Sequence, residues 1–239
     1  MARIEVYHVL NRGTDKRKIF LDDKDHLRFI HNLFEFNDEK PAFNVGYNFK
    51  NEYIDVKRQY IRQREPRKLL VEILAFCLMP NHYHLLLKPR RKNGLSEFIK
   101  KLNGGYAKYF NNRYKRSGRL FEGKYKSVLI KDEAYFIHLP YYIHLNPLDL
   151  AAPEWRKRIL STSNINKSIN LLEKYRWSSY LDYIGKKNFP SVTQRKFLEE
   201  FFDGPEQYRK DTMKWLKNLS TSNVNRLKEI KTLTLEKVD

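Results

Sequence analysis

Apolar residues recur along the first 150 positions with the two periods that distinguish strands from helices. Alternation over residues 4–10 predicts a strand, and three- and four-residue spacing over residues 22–37 predicts a helix. The same criteria predict strands over residues 69–78, 82–88 and 120–130, and helices over residues 96–115 and from Asp132 onward. This order predicts an α+β, ferredoxin-like fold, with an antiparallel four-stranded sheet and helices on one face.

Three stretches depart from this pattern. Residues 38–68 lack clear periodicity and are rich in charge and tyrosine, so we predict an insertion that is either solvated or in contact with the protein's binding partner. Residues 155–216 are predicted to be helical, with aromatic anchors, and apolar density then drops. The expected organisation is a main domain over residues 1–150, a helical C-terminal extension over 151–218 and a flexible tail over 219–239.

Two histidines flank one bulky residue in the apolar run MPNHYHLLL at residues 79–87. Because side chains alternate along a strand, His82 and His84 point to one face, about 7 Å apart, and Tyr83 points to the other. Two imidazoles at that spacing can share a divalent metal ion. Such pairs also occur among unrelated core or surface histidines, so the metal interpretation depends on a second feature.

That feature is the segment PYYIHLNP at residues 140–147. The helix is expected to end at Asn146, because Pro147 disfavours helical geometry in the residue before it. Tyr142 and Asn146 are four residues apart and share a face, where they offer a nucleophilic phenol oxygen and a neutral third ligand. Tyr141 is the rival nucleophile, but it lies about 100° around the helix, and the four-residue step to Asn146 favours Tyr142.

The remaining histidines carry weaker signals. His144 faces away from Asn146, with packing and phosphate contact as the alternatives, and solvent exposure is favoured for His138 over an approach to the site. No partner motif accompanies His8, His26 or His31.

Several short motifs, taken in order, resemble those of the single-tyrosine HUH transposases. They are NRG at 11–13, MPNHYHL at 79–85, GRLF at 118–121 with KYKS at 124–127, YIHLNP at 142–147 and WSSY at 177–180. Each motif is unspecific alone, but their order and spacing over roughly residues 4–185 are highly specific. The chain resembles the insertion-sequence-200-like superfamily, and most of all its REP-associated tyrosine transposase branch. One departure is Pro140, which is expected to kink the helix just before Tyr142.

The resemblance implies a transposase with a tyrosine nucleophile and a catalytic domain over residues 1–150. Tyr142 would form a 5′-phosphotyrosine link to DNA and free a 3′-hydroxyl, so that a later 3′-hydroxyl rejoins the DNA without a nucleotide cofactor. His82, His84 and Asn146 would hold a divalent metal, and these ligand types suit Mg²⁺ or Mn²⁺. A structural Zn²⁺ is disfavoured because cysteine ligands are absent.

Charge indicates the partner. Lys and Arg number 47 against 28 Asp and Glu, a net charge of +19, which is typical of a protein that binds a polyanion. The expected partner is single-stranded DNA with hairpin (palindromic) structure, for which Trp177 and Tyr180 either stack on unpaired bases or anchor the C-terminal helices. The residues predicted to contact DNA phosphates are Arg12, Lys16, Arg17, Lys108, Arg113, Arg116, Arg119, Lys124 and Lys126.

No membrane partner is expected. The sequence has no run of 18 apolar residues, no signal-peptide core at its N-terminus and no basic amphipathic helix with an isolated apolar face. A single cysteine, Cys77, rules out an internal disulfide and fits a reducing cytoplasm, with nucleoid association. A monomer and a homodimer are both compatible with the sequence.

Two alternatives stay open beside the transposase interpretation. One is a domesticated hairpin-DNA nuclease or binder that uses the same site without mobilising itself. The other is a non-catalytic, ferredoxin-like nucleic-acid-binding module, in which the histidines would be incidental. An intact set of His82, His84, Tyr142 and Asn146 argues against the second, because a binder needs none of them.

Overall fold

The computed structural model describes residues 5–42, 66–130, 133–151, 155, 162–199 and 201–217. Most of the predicted insertion over residues 38–68, the first residue of the predicted Asp132 helix and the predicted tail over 219–239 therefore lie outside the described residues.

The strands and helices follow the order expected from the hydrophobic pattern. The strands are β1 (Val6–Arg12), β2 (Val71–Met79), β3 (His82–Pro89) and β4 (Lys126–Ile130). The helices are α1 (Asp23–Glu35), α2 (Gly94–Arg113), α3 (Glu133–Leu145), α4 (Thr162–Lys174), α5 (Tyr180–Tyr183), α6 (Lys196–Glu199) and α7 (Pro205–Lys217). Short 3-10 helices cover Thr14–Lys16 and Asn146–Leu150. No helix in the described part of the chain is both long and apolar enough to cross a bilayer.

The four strands form one sheet in the order β2-β3-β1-β4, and every neighbouring pair is antiparallel. This confirms the predicted antiparallel four-stranded sheet of an α+β fold. β1 lies at its centre between β3 and β4, with Leu10 opposite both His84 and Lys126. Strand β4 is shorter than predicted, because it begins at Lys126 and not at residue 120. Phe121 forms an isolated bridge with Gly13 instead.

Helices cover both faces of the sheet rather than the one face expected. α1 and α2 pack on the face that carries Tyr83 and Leu85, and α3 packs with the C-terminal helices on the face that carries Cys77 and Leu86. The reason is visible in β2, which is buried along nearly its whole length. A strand with apolar residues on both sides has to be covered on both sides.

The C-terminal extension is joined to the sheet by a short connecting segment, residues 177–179, in which Ser178 forms an isolated bridge with Cys77. The backbone amide of Leu78 donates to the carbonyl of Trp177 (2.9 Å), and Ser179 donates to the carbonyl of Phe76 (3.0 Å). These bonds cover part of the outer edge of β2, which would otherwise expose unpaired backbone groups. The extension is therefore part of the same packed structure and shares a hydrophobic cluster with α3.

Candidate active site

β3 places His82 and His84 on one face of the sheet, as the alternation predicts. Their ring centroids are 4.9 Å apart, and the rings are nearly perpendicular. His84 is buried, whereas His82 is half-buried near the start of the strand. The pair thus lies where the sheet surface meets solvent.

The turn before His82 is held by the loop that follows β1. The Gly13 amide donates to the Asn81 carbonyl (2.8 Å), and the Ile19 amide donates to the Pro80 carbonyl (2.8 Å). A Cβ on Gly13 would overlap the carbonyl oxygen of Arg17, so only glycine fits this close approach. The NRG and MPN motifs, 68 residues apart in sequence, are thus two halves of one contact that fixes the start of β3.

α3 brings Tyr142 to the histidines. The Tyr142 ring centroid is 6.1 Å from that of His84, with the two rings nearly perpendicular, and the tyrosine side chain is fully buried. α3 ends at Leu145 ahead of Asn146 and Pro147, as predicted, and it continues past Pro140. The structure therefore brings together His82, His84 and Tyr142.

Asn146 is fully buried one turn after Tyr142. Its Nδ2 donates to the carbonyl oxygens of Tyr142 (2.9 Å) and Ile143 (3.3 Å), two of the carbonyls that a helix end leaves without intrahelical partners. These bonds fix the orientation of the amide. A metal ligand of this residue type binds through the oxygen, not through the nitrogen that the helix engages.

Tyr141, the rival nucleophile, faces the C-terminal helices instead. Its ring stacks on Tyr208 with centroids 4.7 Å apart and packs edge-on against Phe202. Burial raises the pKa of the Tyr141 phenol above its usual range, which disfavours the phenolate.

Two other histidines near the site have structural contacts. His144 is fully buried and hydrogen-bonded to the hydroxyls of Tyr208 (2.7 Å) and Ser179 (2.7 Å), and burial lowers its pKa to about 3. Packing is therefore the alternative that its surroundings favour. His138 accepts a hydrogen bond from Trp215 Nε1 (3.4 Å), so it also faces the extension.

His8 is a site residue that sequence reasoning missed. Its Nε2 lies 3.0 Å from Nδ1 of His84, the two rings stack with centroids 5.2 Å apart, and the Tyr142 ring is 6.1 Å away. The side chain is fully buried, which lowers its pKa to about 3 and keeps the imidazole neutral at physiological pH. The sequence did contain a signal for His8, namely a histidine within the first predicted strand. In a ferredoxin-like sheet that strand lies beside the strand that carries His82 and His84.

The cationic residues predicted to contact DNA fall into two groups. Three are engaged within the protein: Arg12 donates twice to Glu122 (both 3.0 Å), Arg113 pairs with Asp22 and Asp25, and Arg116 donates to Asn111 (2.5 Å). The exposed ones are Lys16, Arg17, Lys108, Arg119, Lys124 and Lys126.

Five of the six exposed residues in this predicted set lie at one end of the sheet, which we call the basic edge: Lys16, Arg17, Arg119, Lys124 and Lys126. The Thr14 amide donates to the Leu120 carbonyl (2.9 Å), which brings the loop after β1 beside the segment before β4. Leu10 of β1 lies opposite His84 of β3 on one side and opposite Lys126 of β4 on the other. Lys126 therefore shares a face with His84 and lies two strands away from it, at about 10 Å. The basic edge therefore adjoins the histidine pair.

The aromatic residues proposed for base stacking are packed inside the protein. Trp177 stacks on His26 (4.4 Å) and on Phe189 (6.4 Å), and Tyr180 is fully buried. These contacts favour the alternative in which both residues anchor the C-terminal helices.

Among the described residues, no group of three or more His, Cys, Asp or Glu side chains is arranged to hold a metal ion. The predicted ligand set has two histidines and an amide, so it does not require such a group.

Comparison with known proteins places these features in a family context. The family model described as "Transposase IS200 like" matches residues 46–146, which contain both histidines, Tyr142 and Asn146. None of the curated proteins matches the chain.

Two solved structures are similar at low sequence identity. A REP-associated tyrosine transposase bound to a REP hairpin is 11% identical, with a TM-score of 0.47, covering 80% of this chain and 85% of its own. A protein from Deinococcus radiodurans R1 assigned as a transposase is 19% identical, with a TM-score of 0.33, covering 58% of this chain and 87% of its own.

Proposed function

We propose that the chain, whose residues 46–146 match the family model described as "Transposase IS200 like", cleaves and rejoins single-stranded DNA beside hairpin ends through a covalent tyrosine intermediate. The observation that carries the proposal is the contact of the Tyr142 ring with His84, in a site where His82 lies beside His84. A binding module needs neither a phenol nor a histidine pair brought together in one site.

Tyr142 is the proposed nucleophile. Its hydroxyl oxygen forms a bond to the phosphorus of the scissile phosphodiester, while the bond from phosphorus to the 3′ oxygen breaks. The phenolic proton is lost and the departing oxygen becomes a 3′-hydroxyl, so the products are a 5′-phosphotyrosine and a free 3′ end. Rejoining is the reverse reaction with another 3′-hydroxyl and needs no nucleotide cofactor.

The residues present fit a divalent metal ion, and we propose that His82, His84 and Asn146 hold Mg²⁺ or Mn²⁺. The fit rests on two neighbouring imidazoles and on an amide whose nitrogen is engaged by α3, so that its oxygen is the ligand atom. A bound ion of this kind polarises a non-bridging phosphate oxygen and orients the phosphate for in-line attack.

DNA is proposed to approach along the basic edge. Lys16, Arg17, Arg119, Lys124 and Lys126 are exposed beside the histidines, and their charge suits the sugar-phosphate backbone. Phosphate contacts position a strand without reading its sequence. We propose that these side chains hold the single strand with its scissile phosphate towards His82.

The test is the covalent adduct. A 5′-labelled single-stranded hairpin is incubated with the full chain and Mn²⁺ or Mg²⁺, and protein-linked DNA is resolved on a denaturing gel. We expect an adduct with the wild type, none with Tyr142→Phe, and an adduct with the matched control Tyr141→Phe. Adduct formation by Tyr142→Phe together with its loss in Tyr141→Phe would reassign the nucleophile, and no adduct in any protein would remove the transposase mechanism.

A further inference from the structure

Each of the two proposed metal-binding histidines has its Nδ1 atom hydrogen-bonded to a side chain that is not itself a proposed ligand. The partner of His82 is Asn81, 2.6 Å away, and the partner of His84 is His8, 3.0 Å away. A histidine binds a metal through a nitrogen that carries a lone pair, so the proton on the other nitrogen decides which atom can bind.

The proton on His82 follows from the contacts of Asn81. Asn81 Nδ2 donates to the backbone carbonyl of Lys16 (3.2 Å), and a carbonyl can only accept. The amide nitrogen must therefore face Lys16 and the amide oxygen must face His82. Because this oxygen also only accepts, Nδ1 of His82 carries the hydrogen, and Nε2 carries the lone pair of the neutral ring.

The Lys16 carbonyl, which accepts the hydrogen bond from Asn81, is held in place by the backbone conformation of its loop. Lys16 and its neighbour Asp15 both have left-handed backbone conformations, with φ of 57° and 56°. Non-glycine residues adopt this region only where surrounding contacts hold them there. The loop that carries the Lys16 carbonyl is thus set against the turn before β3, which holds the Asn81 amide in one orientation.

The His84–His8 pair has two possible proton arrangements. Either Nδ1 of His84 donates to Nε2 of His8, or the direction is reversed and the proton of His84 moves to Nε2. His8 Nδ1 is buried and has no hydrogen-bond partner among the described residues, so no third group there imposes one arrangement. Only the first arrangement leaves the lone pair of His84 on Nε2.

We propose that Asn81 and His8 are positioning residues: Asn81 holds His82 in the tautomer whose Nε2 binds the divalent ion, and His8 orients the His84 ring and accepts from its Nδ1 when Nε2 of His84 binds the ion. The inference rests on the proposed metal site. Both residues are set in place by backbone: His8 lies opposite Leu86 in the strand next to β3, and Asn81 lies in the turn held by Gly13. The rings are thereby oriented before the ion arrives.

Metal affinity of the full chain without DNA tests the positioning role. Mn²⁺ binding is titrated by calorimetry for wild type, Asn81→Ala, His8→Phe and His8→Gln. Asn81→Ala and His8→Phe remove the acceptor and are each expected to weaken binding by about 10- to 100-fold. His8→Gln restores an acceptor oxygen and is expected to recover part of the loss.

His26→Phe is the matched control. It replaces another buried histidine by phenylalanine, but on the face covered by α1, where His26 lies between Phe20 and Trp177. Its Mn²⁺ affinity should equal that of the wild type. Equal affinity in Asn81→Ala and His8→Phe as well, with the wild type binding normally, would overturn the inference and leave the metal site standing.

The tautomer is measured separately, by long-range ¹H–¹⁵N correlation spectra of the metal-free protein. We expect the His82 proton on Nδ1 in the wild type and a loss of that preference in Asn81→Ala. A proton on Nε2 of His82 in the wild type would overturn the inference whatever the affinities. Failure of the wild type to bind Mn²⁺ would instead overturn the proposed metal site.

Discussion

At the scale of single residues, the proposed metal ligands differ in how easily a water molecule can replace them: the Asn146 amide is replaceable, and the two histidines are not. Asn146 would contribute a neutral amide oxygen, for which a water molecule is a close substitute as a ligand. His82 and His84 would contribute nitrogen ligands fixed by their own hydrogen bonds. The three variants should therefore differ in severity.

We expect His82→Ala or His84→Ala to lower metal-dependent cleavage by at least about 100-fold, the loss of about 3 kcal/mol of transition-state stabilisation. Hairpin affinity should be largely kept, since the basic edge supplies it. Asn146→Ala should reduce cleavage less. Cleavage rates and gel shifts measure the two effects, and unchanged metal affinity in the double histidine variant, by calorimetry, would reject the ligand set.

The exposed lysines should also differ in how much each contributes to DNA binding. Lys126 shares the face of His84, whereas Lys108 is exposed on α2, which packs on the opposite face. Lys126→Ala should weaken hairpin binding and reduce the salt slope, d log K/d log[salt], by about 0.7, and Lys108→Ala should do neither. Binding titrations at several salt concentrations measure the slopes. An equal effect of both substitutions would contradict a strand that runs along the basic edge.

Sequence reasoning identified the residues with local signatures and missed those defined by distant contacts. His82 with His84, and Tyr142 with Asn146, are related by strand and helix periods that can be read from a few residues. His8 is 76 residues from its partner His84, and Arg113 is 88 residues from Asp25. Such pairings depend on which strands and helices become neighbours, and no local pattern encodes that.

At the scale of elements, residues 177–179 connect α1 to β2. Trp177 pairs through its backbone with the edge of β2, and its ring stacks on His26 of α1 (4.4 Å). Burial lowers the pKa of His26, so the folded protein resists protonation there while the unfolded chain accepts a proton near pH 6.5. The unfolded state thus binds more protons than the folded state as the pH falls below 6.5.

It follows that the free energy of unfolding should decrease as the pH falls below about 6.5, by up to about 1.4 kcal/mol per pH unit for this one histidine. In His26→Phe, the free energy of unfolding should depend less on pH, because the unfolded chain takes up one proton fewer. The contributions of His8 and His144 to this pH dependence should remain. Denaturant unfolding at several pH values between 7.5 and 5 gives the slopes. The same slope in wild type and variant would show that His26 is not held neutral.

Element boundaries show where the hydrophobic pattern is a sufficient guide. The hydrophobic pattern predicted both ends of β2, β3 and α2 to within two residues, because the apolar positions of these elements repeat and are buried. It extended β4 too far, because residues 120–125 contact the loop after β1 rather than the sheet ladder. The pattern also predicted residues 155–216 to be simply helical, although the described part includes the non-helical segment 177–179, which pairs with the edge of β2.

At the scale of the whole molecule, we expect charge to govern the affinity for DNA. The net charge of +19 is distributed over the whole fold, and five of the exposed cations form the basic edge. If about six of them neutralise phosphates, log K should fall with log[salt] at a slope near −4 for a single-stranded hairpin. We also expect tighter binding to that hairpin than to a blunt duplex of equal length. A slope near zero, or equal binding of the duplex, would exclude single-strand recognition.

The complete burial of Tyr142 has a consequence for the protein at rest. A phenol with no exposed surface cannot meet phosphorus until side chains above it move aside, so the unliganded protein should be latent. We expect protein-linked DNA ends to form only where a hairpin end is present to open the site, so that the protein alone leaves other DNA uncut. Raising expression tenfold in cells without hairpin ends should then leave the count of protein-linked DNA ends near zero.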